Sequence, residues 1–342
     1  MKSTLRYFYN KNWLSKILTT VLAFLLLIVL LVSFLYLVGI KAYPENSLSQ
    51  SDSKTFGFDQ STHVAGYGAN AARVDSQITL TVPEDQVEKL YQYLRETYID
   101  HNDLMKERFP SLDIRGENKI DISEFTDEYY DTTNLDLDKS SNSARYRTRV
   151  NTTNLNDPKS GRELVQVKAT PPGQFDYRTE LKFKVENKIV SQKNMTRDDT
   201  TQLLKLVNNN ERGDFKKALE IVGVDPYSLR KIFTIKQKRG RVYVDWNSKN
   251  FLSFSVDQGG ANKSFATGKF SSVDIGLVED VYTPASTGER DKMWEIRDYM
   301  VEDLIKKFPN LHQTESSKYS IVLDQIRQRI PYFDLAIKYN LI

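Results

Sequence analysis

The sequence predicts an α+β chain in which an antiparallel sheet of about eight strands carries helices on its outside and follows one transmembrane helix. Three observations predict this. A run of 24 residues without charge lies between Lys16 and Lys41. Many later segments alternate apolar and polar residues with period two. Helix-period stripes flank and follow those segments.

The uncharged run, 17–40, would span roughly 36 Å as a helix at about 1.5 Å per residue, enough for a hydrocarbon core of about 30 Å. It exceeds the apolar stretch of a secretory signal, and Val38-Gly39-Ile40-Lys41-Ala42-Tyr43 is a poor small-residue cleavage site. Residues 1–16 form a basic N-terminus with Lys2, Arg6, Lys11 and Lys16. The positive-inside rule then places the N-terminus in the cytoplasm and the C-terminal domain outside it. Residues 41–73, rich in Ser, Gly, Asn, Gln and Ala, read as a flexible linker. The folded domain is expected over 74–330, with 331–342 as a C-terminal extension.

Val74, Ser76, Ile78, Leu80 and Val82 alternate with polar neighbours as a strand, and Pro83 suits the first turn of a helix striped by Val87, Leu90, Tyr91 and Leu94. Strand patterns succeed it at 125–132, 143–150, 163–170 and 177–185. A helical insert occupies about 197–223. Further strand patterns cover 232–238, 241–246, 251–257 and 271–282. Ser286 and Glu289 fit a capping box ahead of a helix bearing Met293, Ile296, Met300 and Leu304; Val322, Leu323, Ile326 and Ile330 suggest another.

Composition excludes several chemistries. The chain of 342 residues has no cysteine, so disulfides, thiolate zinc sites and a cysteine nucleophile are absent. His63, His101 and His312 share no ligand spacing. The net charge of +3 arises from the first 41 residues, which hold five basic residues and no acid, so the remainder carries about −2. A near-neutral domain gives no expectation of nucleic-acid binding.

The chemistry lies in the charged strand faces. Alternation puts Arg145, Arg147 and Arg149 on one face, aligns Arg178, Glu180, Lys182 and Lys184, and aligns Lys236 with Lys238. The opposite faces are apolar and suit the helices. Two arrangements satisfy this pattern: an open sheet with water on its charged side, or a closed sheet whose charged faces line a cavity. Crowded like charges in a cavity call for an anionic ligand, and Arg and Lys suit phosphate.

Tyr129-Tyr130-Asp131-Thr132, Leu135-Asp136-Leu137 and Ala144-Arg145-Tyr146-Arg147 are similar to the "YYDT…L…ALRIR" stretch of a known family, the CYTH-like domains or triphosphate tunnel metalloenzymes. Leu164 to Lys168 resembles its strand ending in a phosphate-binding lysine, and Arg178-Thr179-Glu180 its R-x-E strand. Leu219 to Pro226 with Lys236 to Arg241 after it resembles its "LGL-P…K-x-R" stretch. Val256-Asp257 resembles its strand ending in aspartate, and Ser317-Lys318-Tyr319 the S-K-Y of the polyphosphate-polymerase branch. The resemblance covers about 74–325.

It implies an eight-stranded antiparallel β-barrel, or tunnel, with helices outside and a polyphosphate or other polyanionic phosphate ligand within. Arg145, Arg147, Arg149, Lys168, Arg178, Lys182, Lys236 and Lys238 are the expected phosphate contacts. Acidic side chains would hold Mg²⁺ or Mn²⁺, and Glu180, Asp257 and Asp274 are the candidates. The sequence departs from the family in its acids. Gln77-Ile78-Thr79-Leu80-Thr81 stands where E-x-E-x-K is usual, Asp274-Ile275-Gly276 keeps one carboxylate, and Lys182 replaces a second acid after R-x-E. Three functions are therefore expected in this order: a membrane-anchored polyanion-binding module, a metal-dependent triphosphatase or polyphosphate-handling enzyme with a reduced acidic set, and a structural envelope protein with a vestigial tunnel.

Overall fold

The computed structural model describes residues 72–100, 103–110, 114–116, 121–153, 160–169, 177–186, 202–282 and 284–342, with 20–21. The chain divides into two units, Met1–Lys54 and Thr55–Ile342, and the second holds every strand and helix named below. The expected membrane span lies outside the described residues except for Thr20 and Val21. Among the described residues no helix is long and apolar enough to cross a membrane.

The strands are β1 (Ala72–Thr81), β2 (Ile114–Gly116), β3 (Asp121–Asp131), β4 (Ser143–Asn151), β5 (Glu163–Ala169), β6 (Tyr177–Lys184), β7 (Arg230–Trp246), β8 (Lys249–Lys263), β9 (Ala266–Leu277) and β10 (His312–Gln313). Pairing runs β1-β6-β5-β4-β3-β7-β8-β9, antiparallel throughout, and β9 pairs back onto β1. Closure is achieved because β1 serves two neighbours in succession. Ala72–Ser76 pair with β6, and Gln77–Thr81 pair with β9. The result is the closed barrel of eight strands, with β2 and β10 as short additions. A closed sheet leaves no unpaired edge.

Two expected strands, 232–238 and 241–246, are one continuous β7, since Gly240 pairs with Val256 and Ile122 without breaking the ladder. The strand expected over 271–282 ends at Leu277.

The barrel is apolar outside and polar over much of its inside. On the outer face, Val242, Val244, Leu252, Phe254, Val273 and Ile275 are covered by α1 (Val87–Arg95) and by the long helix Thr287–Lys307. The latter begins at the expected capping box: the Ser286 amide donates to Glu289 at 2.9 Å and the Glu289 amide donates to Ser286 Oγ. On the other flank, Val165, Val167, Leu181 and Phe183 pack against helices Gln202–Leu206 and Arg212–Ile221. The Leu219–Pro226 motif is the end of the second of these. Gly223 adopts φ +76°, and Val224 N–H donates to the Leu219 carbonyl at 2.9 Å, closing the helix in the left-handed turn that glycine favours.

A third apolar cluster fills one end of the lumen. The helix Lys318–Arg329, termed the plug, brings Tyr319, Val322, Leu323 and Ile326 against inward-facing Tyr129, Phe233, Ile235, Ala261 and Phe270. Close approach requires Gly268, where a Cβ would meet the Val322 carbonyl oxygen at 2.5 Å. The stretch 331–342, expected as an extension, adds buried Phe333 and Ile337 to this cluster.

Candidate functional site

The part of the lumen left open by the plug is a cavity of about 810 Å³. Directly opposed residues of antiparallel neighbours share a face, so one inward residue fixes the others. Phe125 opposes Arg149, Asp127 opposes Arg147 and Tyr129 opposes Arg145. The register across β7 then puts Gln237 beside Phe125 and Arg239 beside Ser123. Across β8, Asp257 opposes Arg239.

Of the expected phosphate contacts, Arg145, Arg147, Arg149, Lys168 and Lys182 all line the cavity. Arg178 lies in β6, opposite Asp75, and its side chain falls outside the described residues. Lys236 and Lys238 are a correction. Both are exposed on the outer face, opposite Thr126 and Glu124. Arg239 and Arg241 take their place on the inner wall. The run Lys236 to Arg241 carries cations at both parities, and outward Val242 and Val244, buried under helices, fix which parity faces in.

The lumen holds more carboxylate than the sequence motifs suggest. Arg147 clamps Asp127 with two bonds of 2.6 Å, and Arg145 reaches the same carboxylate at 3.4 Å. Arg149 donates to Ser123 Oγ and to Asp121, on which Arg241 also converges at 3.7 Å. Glu180 is shared by Lys182 at 2.6 Å and by Lys168 and Arg145 at 3.8 Å each, and accepts a bond from Gln166. Burial pushes each of these carboxyls up. For Asp127 the Arg147 and Arg145 guanidinium groups reverse that and hold it below the ordinary range. Glu180 is held well below it by Lys168 and Lys182, and Asp121 more modestly by Arg241 and Arg149. Asp121 and Asp127 do not stand out in sequence because 125–132 reads as an aromatic strand. Their alternation with Ser123 and Phe125 is the available signal.

Cations nevertheless prevail on the wall. Ten lining side chains are Arg or Lys and five are Asp or Glu, among the described residues. Asp127 and Asp257 lie fully buried behind their arginines. Phe125 is set among three guanidinium groups, its ring centroid 4.4 Å from Arg147, 5.5 Å from Arg239 and 5.8 Å from Arg149. The ring face stabilises the cations without neutralising them.

The metal candidates divide. Along β1, Glu180 opposes Arg73 and Asp274 opposes Thr79, positions about 20 Å apart at roughly 3.3 Å per residue. Asp257 and Asp274 do meet, yet they meet around Arg239 and Lys318. Among the described residues no three acidic or histidine side chains are grouped to hold a metal ion. The expected Glu180–Asp257–Asp274 set does not fit Mg²⁺ or Mn²⁺, because Glu180 lies apart from the other two and each of the three carboxylates already holds a cation. Gln77 and Thr79 line the cavity where the resemblance would place acids, and Thr79 Oγ1 donates to Asp274 at 3.0 Å.

The motif residues Tyr129 to Thr132 have a structural part of their own. Asp131 accepts backbone bonds from Thr132, Leu137 and Asp138, at 2.7, 2.9 and 3.0 Å, and one from the Tyr319 hydroxyl at 3.0 Å. Tyr129 stacks on Tyr319 with centroids 5.0 Å apart. Two distant motifs thereby form one latch that seats the plug. Burial pushes the Asp131 carboxyl up to about 6 despite these donors.

No family model and no curated protein matches the chain. Solved structures do. An adenylate cyclase candidate from Bacillus halodurans is 12% identical over 76% of this chain and 99% of that one, TM-score 0.40. A Hippeastrum adenylyl cyclase candidate with a dominant triphosphatase activity is 12% identical over 73% and 95%, TM-score 0.39. The Mimivirus capping-enzyme triphosphatase is 7% identical over 68% and 89%, TM-score 0.33. At these identities the barrel stands on its own strand pairings.

Proposed function

We propose that the barrel binds a polyphosphate or similar polyanionic phosphate chain in its lumen, and that the N-terminal segment tethers it to a membrane on the extracytoplasmic side. The cavity wall carries the reading: among the described residues Arg145, Arg147, Arg149, Lys168, Lys182, Arg239, Arg241 and Lys318 outnumber the carboxylates that pair with them, Asp121, Asp127, Glu180, Asp257 and Asp274, so positive charge remains for a ligand. Guanidinium groups in a fixed fork grip phosphate oxygens two at a time, and a cavity of this volume has room for a chain of them. The tether is supported by the uncharged run of 24 residues and the basic residues before it. Turnover is not part of the proposal, since Asp121, Asp127, Glu180, Asp257 and Asp274 are each already held by a cation.

Calorimetric titration of the full chain in detergent with tripolyphosphate, in EDTA, tests this. Saturable binding is expected, weakening as salt rises. Absence of both heat and any shift in melting temperature would reject it in favour of a structural role.

A further inference from the structure

Asp257 and Asp274 project from neighbouring strands onto the same inner face as a diagonal pair, Asp257 opposing Ser272 and Asp274 opposing Ser255. All four of their oxygens are taken. Arg239 Nε donates to Asp257 Oδ1 and Nη2 to Oδ2, each at 2.6 Å. Thr79 donates to Asp274 Oδ1, and Arg239 approaches Asp274 Oδ2 at 3.5 Å. The remaining partner is Lys318, the first residue of the plug. Its Nζ donates to Asp274 Oδ2 at 2.7 Å and also contacts Asp257 Oδ2.

That ammonium is held in place by the residues that flank it. Ser317 caps the plug by accepting the Ser320 amide at 3.0 Å, and Tyr319 anchors the next position through Asp131 and the stack on Tyr129. Lys318 is thus delivered between the two carboxylates by residues on either side of it. Its side chain is largely buried, and Asp257 is fully so. A hard divalent ion requires several free oxygens and would meet two cations at contact distance.

We propose that Lys318 takes the place of a divalent cation: its ammonium neutralises the Asp257–Asp274 pair, and the lumen holds its phosphate ligand without metal. A lysine is suited to this as a compact point charge on a flexible stem. The first half is independent of the ligand; the second rests on the phosphate-binding proposal.

Mn²⁺ titration followed by electron paramagnetic resonance separates the two. The wild-type chain is expected to bind no Mn²⁺ that Asp274→Asn removes. Lys318→Met combined with Arg239→Met, which frees both Asp257 oxygens as well as Asp274 Oδ2, is expected to take up one Mn²⁺ in the range of about 0.1–1 mM, as for a site of few charged ligands, and to lose it when Asp274→Asn is added, whereas Arg239→Met alone, with Lys318 in place, is expected to take up none. Should that double variant not fold, Lys318→Gln with Arg239→Gln keeps polar heads and is expected to gain the same site. Tripolyphosphate affinity of the wild type is expected to be equal with and without EDTA. Mn²⁺ bound by the wild type at Asp274, the same uptake by Arg239→Met alone, or no gain in either folded double variant, overturns the proposal. No tripolyphosphate binding under any condition would reject the phosphate reading alone and leave the Mn²⁺ result standing.

Discussion

The two ends of the barrel interior are built from the same strands and solve opposite problems. At one end β3, β7, β8 and β9 turn Tyr129, Phe233, Ile235, Ala261 and Phe270 inward, and the plug fills the space. At the other end the same β3 and β7 turn Asp127, Phe125, Arg239 and Arg241 inward, and the space stays open. The difference lies in what satisfies the wall. Apolar side chains are satisfied by a helix of the chain itself, which removes them from water. Charged side chains are satisfied pairwise across strands, with cations in excess, and a surplus of one sign suits a soluble partner. The plug's N-terminus joins the two ends, because Tyr319 belongs to the apolar cluster while Lys318 reaches the charged one.

This contrast is sharpest in stability. Asp127→Asn strips a buried partner from Arg147 and Arg145 and should cost about 3–5 kcal/mol. Tyr319→Ala empties part of the plug, breaks the bond to Asp131, and should cost a similar amount, about 3–5 kcal/mol. Urea unfolding with and without tripolyphosphate distinguishes them. The anion should recover part of the Asp127→Asn loss, where it meets unpaired guanidinium groups, and none specific to Tyr319→Ala.

A smaller effect tests the corrected register of β7. Arg147→Gln should weaken tripolyphosphate by roughly 1.5–3 kcal/mol, the usual worth of a bond to a charged group. Lys236→Gln, on the outer face, should leave affinity nearly unchanged. Equal losses from both, measured calorimetrically, would return Lys236 to the binding wall.

The smallest expected effect is in pH. Asp121, Asp127, Glu180 and Asp257 are held below the ordinary carboxylate range, so the unfolded chain binds more protons than the native one. Their stabilisation is present above about pH 4–5 and is lost as pH falls through the lowered native values. Asp131 at the latch has the opposite sign. With its carboxyl raised to about 6, it stabilises most at low pH and loses that contribution as pH rises through 6. Asp131→Asn should therefore flatten the decline between about pH 4 and 7, a change of roughly 1–3 kcal/mol. Denaturant midpoints across that range decide it, and an unchanged slope would show the carboxyl to be unshifted.

Much of this is legible in sequence where one period and one kind of residue coincide. Arg145, Arg147 and Arg149 alternate with Tyr146, Thr148 and Val150, and they face the lumen as expected. The capping box at Ser286 and the plug stripe of Val322, Leu323 and Ile326 are equally plain. Lys236 and Lys238 mislead because Arg239 and Arg241 come next at the other parity, and only the neighbouring ladder decides between them. The Glu180–Asp257–Asp274 grouping fails for a related reason: residue type identifies candidate oxygens, whereas their separation along β1 and their capture by Arg239 and Lys318 exist only once the barrel closes. Lys318 stands out as a motif residue, but no local pattern links position 318 to strands β8 and β9.

The spatial claim can be tested directly because the chain has no cysteine. Ser253→Cys places a single thiol on the cavity wall, and Lys236→Cys places one on the outer face. Labelling rates with a small thiol reagent are measured with and without tripolyphosphate. Protection of the luminal thiol alone is the expected result; equal protection at both positions, or at neither, would contradict a phosphate chain seated inside the barrel.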